Sequence, residues 1–276
     1  MQSLNSRNIN CHHQIGSFLA TAFVLATIST ATFAADRVIE ESLVYKDPTV
    51  SRQNQMVKGI SLDYYSFSQN VSFANAPNPD ITGTIAYQQP GISGFVGYGD
   101  ITLMVSYRSG TGTADFSAQF TGLGTLTLNE SFTQSEYEFD LRWLMTNFQT
   151  TYFTPYALIG YAGTKFNSTI TTPSLPSYSQ SSEATDTVPL LGIGGIIPIS
   201  DKFGFRVDEK FGFVSDTYSD SAGSVSSSYN ISRLTATMYY NFADSWNGQL
   251  GARYESNNTG TPSTTGFYGM LGYTFR

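Results

Sequence analysis

Apolar and polar side chains alternate with a period of two over much of this chain, which predicts β-strands with two different faces. Residues 266–276 show the pattern most clearly, because Phe267, Leu271, Tyr273 and Phe275 all fall on one face. Similar segments of roughly ten residues recur, and each is long enough to cross a bilayer when tilted. The predicted strands are 57–67, 91–98, 101–109, 130–145, 155–166, 184–199, 202–215, 228–242, 246–256 and 265–275.

We expect about ten strands, or eight if the glycine-rich segment 91–98 and a partner do not form. The connections alternate between short and long. The short ones are 99–100, 146–154, 200–201 and 243–245, and the long ones are 69–90, 110–130, 167–183, 216–227 and 256–264. The long ones are rich in Ser, Thr, Asn, Gly and Pro, which is typical of loops. The pattern predicts an all-β, antiparallel up-and-down barrel over 57–276, with short turns on one side and long loops on the other.

The N-terminus has the layout of a secretory signal peptide over 1–34. A polar start with Arg7 precedes an apolar core of about a dozen residues, and small residues follow. We expect cleavage after Ala34 or Ala35, and a charged, aperiodic N-terminal tail over 35–56. The single cysteine, Cys11, and both histidines lie inside the signal peptide. The mature chain would therefore have no side chain for a disulfide, a His metal ligand or a Ser–His–Asp arrangement.

Charge and composition narrow the function classes. The net charge of −7 becomes more acidic when Arg7 is removed, leaving 13 basic against 21 acidic residues. This balance argues against a nucleic-acid partner, whose phosphates need a basic surface. Charged residues make up 13% of the chain and aromatic residues 14%, which suits an all-β protein that meets an apolar solvent. After Ala35 no apolar run of 18 or more residues occurs, so no transmembrane helix is expected.

Two features indicate which face of the strands is outside. Segment 130–145 alternates charged residues, Glu136 to Arg142, with aromatic and aliphatic ones, and 206–210 does likewise. Aromatic residues such as Trp143, Trp246 and Tyr254 concentrate near the strand ends, where rings with a polar edge settle at a bilayer interface. We therefore expect the apolar face outside and the charges inside. A soluble barrel or sandwich, with the apolar face inside, remains the alternative.

The terminal aromatic strand, together with the signal peptide, resembles the closing strand of bacterial outer-membrane β-barrels, and 57–276 is similar to the small OmpA/OmpX/Opa-type barrels. The resemblance implies Sec-dependent export, an outer-membrane location and a periplasmic tail at 35–56. It also implies contact with outer-membrane lipid and lipopolysaccharide, and assembly by the barrel-insertion machinery. A surface ligand could bind through the long loops.

The candidate functional residues are charges expected to face the lumen: Arg108, Glu136, Glu138, Asp140, Arg142, Arg206, Asp208, Lys210, Arg233, Arg253 and Glu255. In a barrel this narrow, side chains nearly fill the interior. We expect a structural or surface-interaction role with a largely filled lumen, and keep a narrow porin-like channel for small hydrophilic solutes or ions as the alternative. We expect no enzyme and no catalytic, cofactor-binding or metal-binding residues, although a barrel enzyme and a soluble secreted β-protein stay open.

Overall fold

The computed structural model describes residues 47–51, 55–73, 81–120, 124–173, 175–259 and 263–275. The predicted signal peptide lies outside these residues. Ten strands make up nearly all of the described chain. They are β1 (Met56–Phe73), β2 (Ile81–Tyr98), β3 (Ile101–Phe120), β4 (Gly124–Leu144), β5 (Thr154–Thr172), β6 (Leu175–Pro198), β7 (Phe203–Asp220), β8 (Gly223–Asn241), β9 (Trp246–Asn257) and β10 (Thr264–Phe275). A short 3-10 helix, Thr146–Phe148, joins β4 to β5.

The strands form one closed antiparallel barrel in which each strand pairs with its neighbours in sequence. The ring closes where β10 pairs with β1, for example Phe275 opposite Lys58 and Leu271 opposite Leu62. The predicted ten-stranded up-and-down barrel is confirmed, and the glycine-rich segment 91–98 belongs to a full strand. Among the described residues, no helix is both long and apolar enough to cross a membrane. Below, the lower end of the barrel is the end where β1 begins and β10 ends.

In the lower half of the barrel the outer face is apolar. On β4, Tyr137, Phe139, Leu141 and Trp143 point outward and are exposed, while the residues between them point inward. The other strands repeat this arrangement, so a band of aliphatic side chains with aromatic residues near its edges surrounds the barrel. A water-soluble barrel would bury these side chains, so the band fits a lipid environment.

Above this band the strands continue where loops were predicted. The described parts of 69–90, 110–130, 167–183 and 216–227 lie mostly in β-hairpin walls, so the prediction of long irregular loops there was wrong. The reason is that the polarity of the two faces reverses. Phe132 and Ala114 face inward and are buried, whereas Thr111 and Thr113 face outward. Outward Ser and Thr make these strands look like loops in the sequence.

The expected periplasmic tail also needs correction in its described part. Residues 47–51 do not hang below the barrel but enter its lower end, where Asp47, Thr49, Val50 and Ser51 are all buried. The physical reason is complementary chemistry, since the polar side chains bind arginines of the barrel wall and Val50 packs with buried apolar residues. Of the rest of the tail, the structure describes only residues 55 and 56, and Met56 is the first residue of β1.

Candidate functional site

The barrel interior contains a layer of charged side chains that crosses the lumen. Each of the eleven candidate residues lies on the inner face of its strand, because charged positions alternate with outward apolar ones on β3, β4, β7, β8 and β9. We call these residues, together with Asp63 of β1, the charged layer. Asp63 was missed in the sequence, although it sits between the outward residues Leu62 and Tyr64 and shares their alternation.

The centre of the charged layer is a set of ion pairs that links opposite walls. Lys210 of β7 contacts Glu138 and Asp140 of β4. Arg233 of β8 places Nη1 at 2.6 Å from the second oxygen of Glu138. Since these strands are not neighbours in the ring, the contacts span the lumen rather than follow its wall. The result is a bridge of side chains across the barrel.

A second set of ion pairs lies directly above this bridge. Arg253 Nη1 donates to Glu136 Oε1 at 2.9 Å, and its Nη2 lies 3.3 Å from Glu255 Oε2. Arg233 Nε donates to the same Glu255 oxygen at 2.8 Å. The side chain of Glu136 is only 6% exposed. Charges this well buried are tolerated because each has an opposite charge within hydrogen-bonding distance.

Asp63 and Arg108 form a further pair on the wall made by β1, β2 and β3. Arg108 Nη2 lies 3.4 Å from Asp63 Oδ2, and Ser93 Oγ donates to Asp63 Oδ1 at 2.9 Å. The side chain of Asp63 is fully buried. This pair extends the charged layer to the side of the barrel that the other ion pairs do not reach.

Segment 47–51 closes the layer from below. Arg206 Nη1 lies 3.2 Å from Asp47 Oδ2, and Arg142 Nη2 donates to the backbone oxygen of Thr49 at 2.9 Å and to its hydroxyl at 2.7 Å. Arg142 also lies over the ring of Tyr156, 5.3 Å from its centre. The local sequence at 47–51 did not predict this contact, because the arginines that bind the segment lie far away along the chain.

The inward side chains of β10 are neutral. Tyr268, Met270 and Thr274 face the lumen, while Phe267, Leu271, Tyr273 and Phe275 face outward. The Tyr268 hydroxyl contacts Thr237 of β8. Bulky and neutral side chains therefore fill the part of the lumen beside the ion pairs.

A small cavity of about 160 Å³ lies within the charged layer. Thr49 and Arg142 line its lower part, and Tyr65 and Arg253 line its upper part. Such a volume is large enough for several water molecules. The cavity shows that ion pairs nearly fill the lumen at this level without packing it solid.

A wider vestibule lies above the charged layer, with a volume of about 1090 Å³. Inward residues that line it include Phe67, Tyr87, Phe132, Ser168 and Ser182. The rings of Phe67 and Tyr87 are 4.9 Å apart, and the Ser168 and Ser182 hydroxyls are 2.8 Å apart. Its lining is thus aromatic on one side and hydroxyl-rich on another.

Two aspartates face each other in the upper wall, outside the membrane-spanning part. Asp186 of β6 lies opposite Asp216 of β7, three residues above Phe213, the last large apolar residue on the outer face of β7. Burial raises the pKa of the Asp186 carboxyl to about 7, and a hydrogen bond and repulsion from Asp216 act in the same direction. Ser227 donates to Asp216 at 3.2 Å.

Comparison with known proteins supports the fold. No family model matches the chain, and no curated protein matches it. Among solved structures, the outer membrane protease OmpT from Escherichia coli has a TM-score of 0.50 at 11% identity, covering 80% of this chain and 96% of that one. The translocator domain of the autotransporter NalP from Neisseria meningitidis has a TM-score of 0.44 at 12% identity, covering 95% and 98%. At such identity the likeness concerns architecture alone. The chain has the fold of the outer-membrane β-barrels.

Proposed function

We propose that this protein is a bacterial outer-membrane β-barrel with a closed lumen, and that it acts as a structural or surface-interaction protein. In this proposal the lower end faces the periplasm and the hairpin walls rise above the outer leaflet, among lipopolysaccharide. The exposed apolar band supports a membrane location, and the signal peptide predicted over 1–34 would supply the export route.

The observation that carries the closed lumen is the bridge of ion pairs between opposite walls. Lys210 and Arg233 reach across to Glu138, and segment 47–51 covers the layer from below. Moving Lys210 away would leave Asp140, in the part of the chain that the structure describes, as a buried charge without an ion-pair partner, which is strongly unfavourable. The layer is therefore expected to stay shut at rest.

The hairpin walls support the surface-interaction part of the proposal. Their outer face carries mostly neutral hydroxyl side chains, including Thr111, Thr113 and Thr217, which are exposed, and Thr169, which is partly exposed. A ladder of such groups can donate and accept hydrogen bonds along an extended strip. The walls, rather than irregular loops, would then be the part that meets a ligand on the cell surface.

A narrow channel remains the second candidate, favoured by the cavity inside the charged layer, whose lining includes charged side chains such as Glu138 and Arg142. The cavity of about 160 Å³ and the vestibule above it would form successive parts of a path for small ions or hydrophilic solutes. In this case Arg142 and Glu138 would set the selectivity of the constriction.

Single-channel recording in planar lipid bilayers separates the two candidates. The closed-lumen proposal expects no reproducible conductance steps from a protein that shows the gel mobility of a folded barrel. Steps whose size or selectivity changes in Glu138→Ala or Arg142→Ala would reject it in favour of the channel. Membrane fractionation of cells that express the full chain checks the outer-membrane location separately.

The surface role has its own test. Replacing 112–132 by a two-residue turn shortens the β3–β4 hairpin above the paired residues Thr111 and Thr133 and leaves the charged layer in place. Reduced adhesion of cells that carry this variant, with normal amounts of folded barrel, is the expected result. Unchanged adhesion to every surface tested would favour a purely structural role.

A further inference from the structure

The lower end of the barrel forms a pocket around segment 47–51. We call this pocket the socket and define it by Thr102, Arg142, Arg206 and the apolar residues that surround Val50. Within the segment, Thr49 donates from its backbone nitrogen to Asp47 Oδ1 at 2.9 Å, so the segment makes a tight turn of its own. It is not hydrogen-bonded into the barrel as a strand.

The polar side of the socket binds both ends of this turn. Arg206 Nη1 lies 3.3 and 3.2 Å from the two oxygens of Asp47. The backbone oxygen of Thr49 accepts from Arg142 Nη2 at 2.9 Å and from Thr102 Oγ1 at 3.1 Å. A guanidinium on a carboxylate and side-chain donors on a backbone carbonyl are typical of peptide recognition.

The apolar side of the socket holds Val50, which is only 3% exposed. It belongs to a buried cluster with Leu144, Tyr156, Leu158, Ile196 and Tyr239. Leu144, Ile196 and Tyr239 come from β4, β6 and β8, so the cluster is built by the barrel and does not depend on the segment for its position. An aliphatic side chain on the residue directly after an anchored threonine carbonyl would have limited freedom, and this gives the socket shape selectivity as well as charge selectivity.

We propose that the socket is a peptide-binding site, facing the periplasm, that the chain's own segment 47–51 occupies as a built-in ligand. The class of ligand is a short turn with an aspartate, a threonine two residues later and then an aliphatic residue. Naming the periplasm rests on the proposed function, while the recognition itself does not. Because Thr49 lines the cavity of the charged layer, the bound segment is also the floor of that cavity.

A binding experiment in detergent micelles tests the proposal. An unplugged full-length variant carries Asp47→Gly, Thr49→Gly and Val50→Gly. The probe is a fluorescently labelled, amidated peptide with the sequence of 47–51, followed by fluorescence anisotropy. We expect saturable binding to the unplugged variant, and binding at least tenfold weaker to the wild type, where the tethered segment competes at an effective concentration near millimolar.

Two changes define the specificity of this binding. A peptide with Asn in place of Asp should bind the unplugged variant at least tenfold more weakly, because it loses the charge-assisted contact with Arg206. Adding Arg206→Gln to the unplugged variant should have the same effect on the original peptide. Equal binding to wild type and unplugged variant, equal binding of the Asn peptide, or no binding to a correctly folded unplugged variant would each overturn the proposal.

A second measurement serves if the unplugged variant does not fold. In otherwise wild-type protein, Asp47→Asn, Arg206→Gln and the double variant are compared by the temperature at which the folded barrel loses its gel mobility. The expected result is that this temperature falls in the double variant by no more than it falls in the more affected single variant. The reason is that either single substitution already removes the contact between residues 47 and 206. Additive losses would contradict recognition of Asp47 by Arg206. Neither measurement depends on conductance, so it can fail while the closed-lumen proposal stands.

Discussion

Replacing Lys210 by methionine tests whether the charged layer is sealed from water. Only 9% of the Lys210 side chain is exposed, and its Nζ contacts Glu138 and Asp140. Without it, Glu138 keeps Arg233 at 2.6 Å. Asp140 loses the ion-pair partner it has in the described part of the chain and becomes a buried, uncompensated charge. Breaking such a pair costs about 3–5 kcal/mol of folding free energy.

Two comparison variants separate this electrostatic cost from a packing effect. Methionine keeps the unbranched shape of the lysine stem, so the cavity contribution should be small. Adding Asp140→Asn to Lys210→Met removes the stranded charge and should return stability to within ~1–2 kcal/mol of wild type. Lys165→Met breaks an ion pair with Glu183 at 2.9 Å whose side chains are about half exposed, and it should cost less than ~1 kcal/mol.

The assay is urea unfolding in lipid vesicles, followed by the fluorescence of Trp143 and Trp246 at equilibrium. If Lys210→Met costs no more than Lys165→Met, water reaches the layer and screens its charges. That result would refute the reasoning for a sealed lumen and would favour the channel. A large cost that Asp140→Asn does not relieve would also refute it, since the loss would then come from packing.

Three further predictions concern other parts of the barrel. Leu250→Arg puts a charge in the middle of the outward apolar band, where the leucine is 59% exposed, and should cost about 2–4 kcal/mol in vesicles; a neutral effect would contradict a lipid-facing surface. Gly110→Ala should cost about 1–3 kcal/mol, because its methyl would lie 1.8 Å from the Gln88 backbone oxygen, whereas Gly248→Ala has space and should be nearly neutral in the same unfolding assay. The raised pKa of Asp186, about 7, means that the folded protein holds a proton that the unfolded chain releases above about pH 4. Stability from this group is therefore lost as pH rises towards 7, and Asp186→Asn should flatten the dependence of melting temperature on pH; parallel curves would contradict the assignment.

The alternation of side chains was enough to predict the membrane-spanning half of the fold. On β4, Glu138 and Asp140 separate Phe139 from Tyr137 and Leu141, and this pattern requires two different environments on the two faces whatever the tertiary structure. Contact with lipid favours apolar side chains on the outer face, and the pairing of opposite charges favours charged side chains on the inner face. The candidate charges could be assigned to one face for the same reason, while their pairing depends on which strands lie across the lumen.

The position of segment 47–51 could not be predicted from the sequence. Asp47 and its partner Arg206 are separated by 159 positions along the chain, and Thr49 and Arg142 by 93. A five-residue segment has no periodicity to read, and an aspartate or threonine in it is equally compatible with a solvated tail. Only the closed ring brings the two arginines to the same end of the lumen.

The hairpin walls were mispredicted because their polarity is the reverse of the polarity below them, and this reversal itself defines a level on the barrel. Going upward on the outer face, an aromatic residue is followed two positions later by a hydroxyl residue on six strands. The pairs are Tyr64 and Ser66, Tyr107 and Ser109, Tyr137 and Ser135, Phe213 and Ser215, Tyr254 and Ser256, and Phe267 and Thr265. Inside the barrel, ion pairs give way to aromatic and hydroxyl side chains above this level.

The same strands therefore build two stacked barrels, and the polarity of the inner and outer faces is reversed between them. The lower barrel needs a polar interior because its exterior is in contact with lipid, and an apolar residue on both faces would give the strand no preferred orientation. The upper barrel is surrounded by water, so its apolar side chains turn inward as in a soluble protein. A single strand can satisfy both conditions only if its apolar side chains change from the outer face to the inner face at the membrane surface. The six outward aromatic–hydroxyl pairs mark the level of this change. The depth of the barrel in the bilayer is thus set by the sequence of each strand rather than by the loops that connect them.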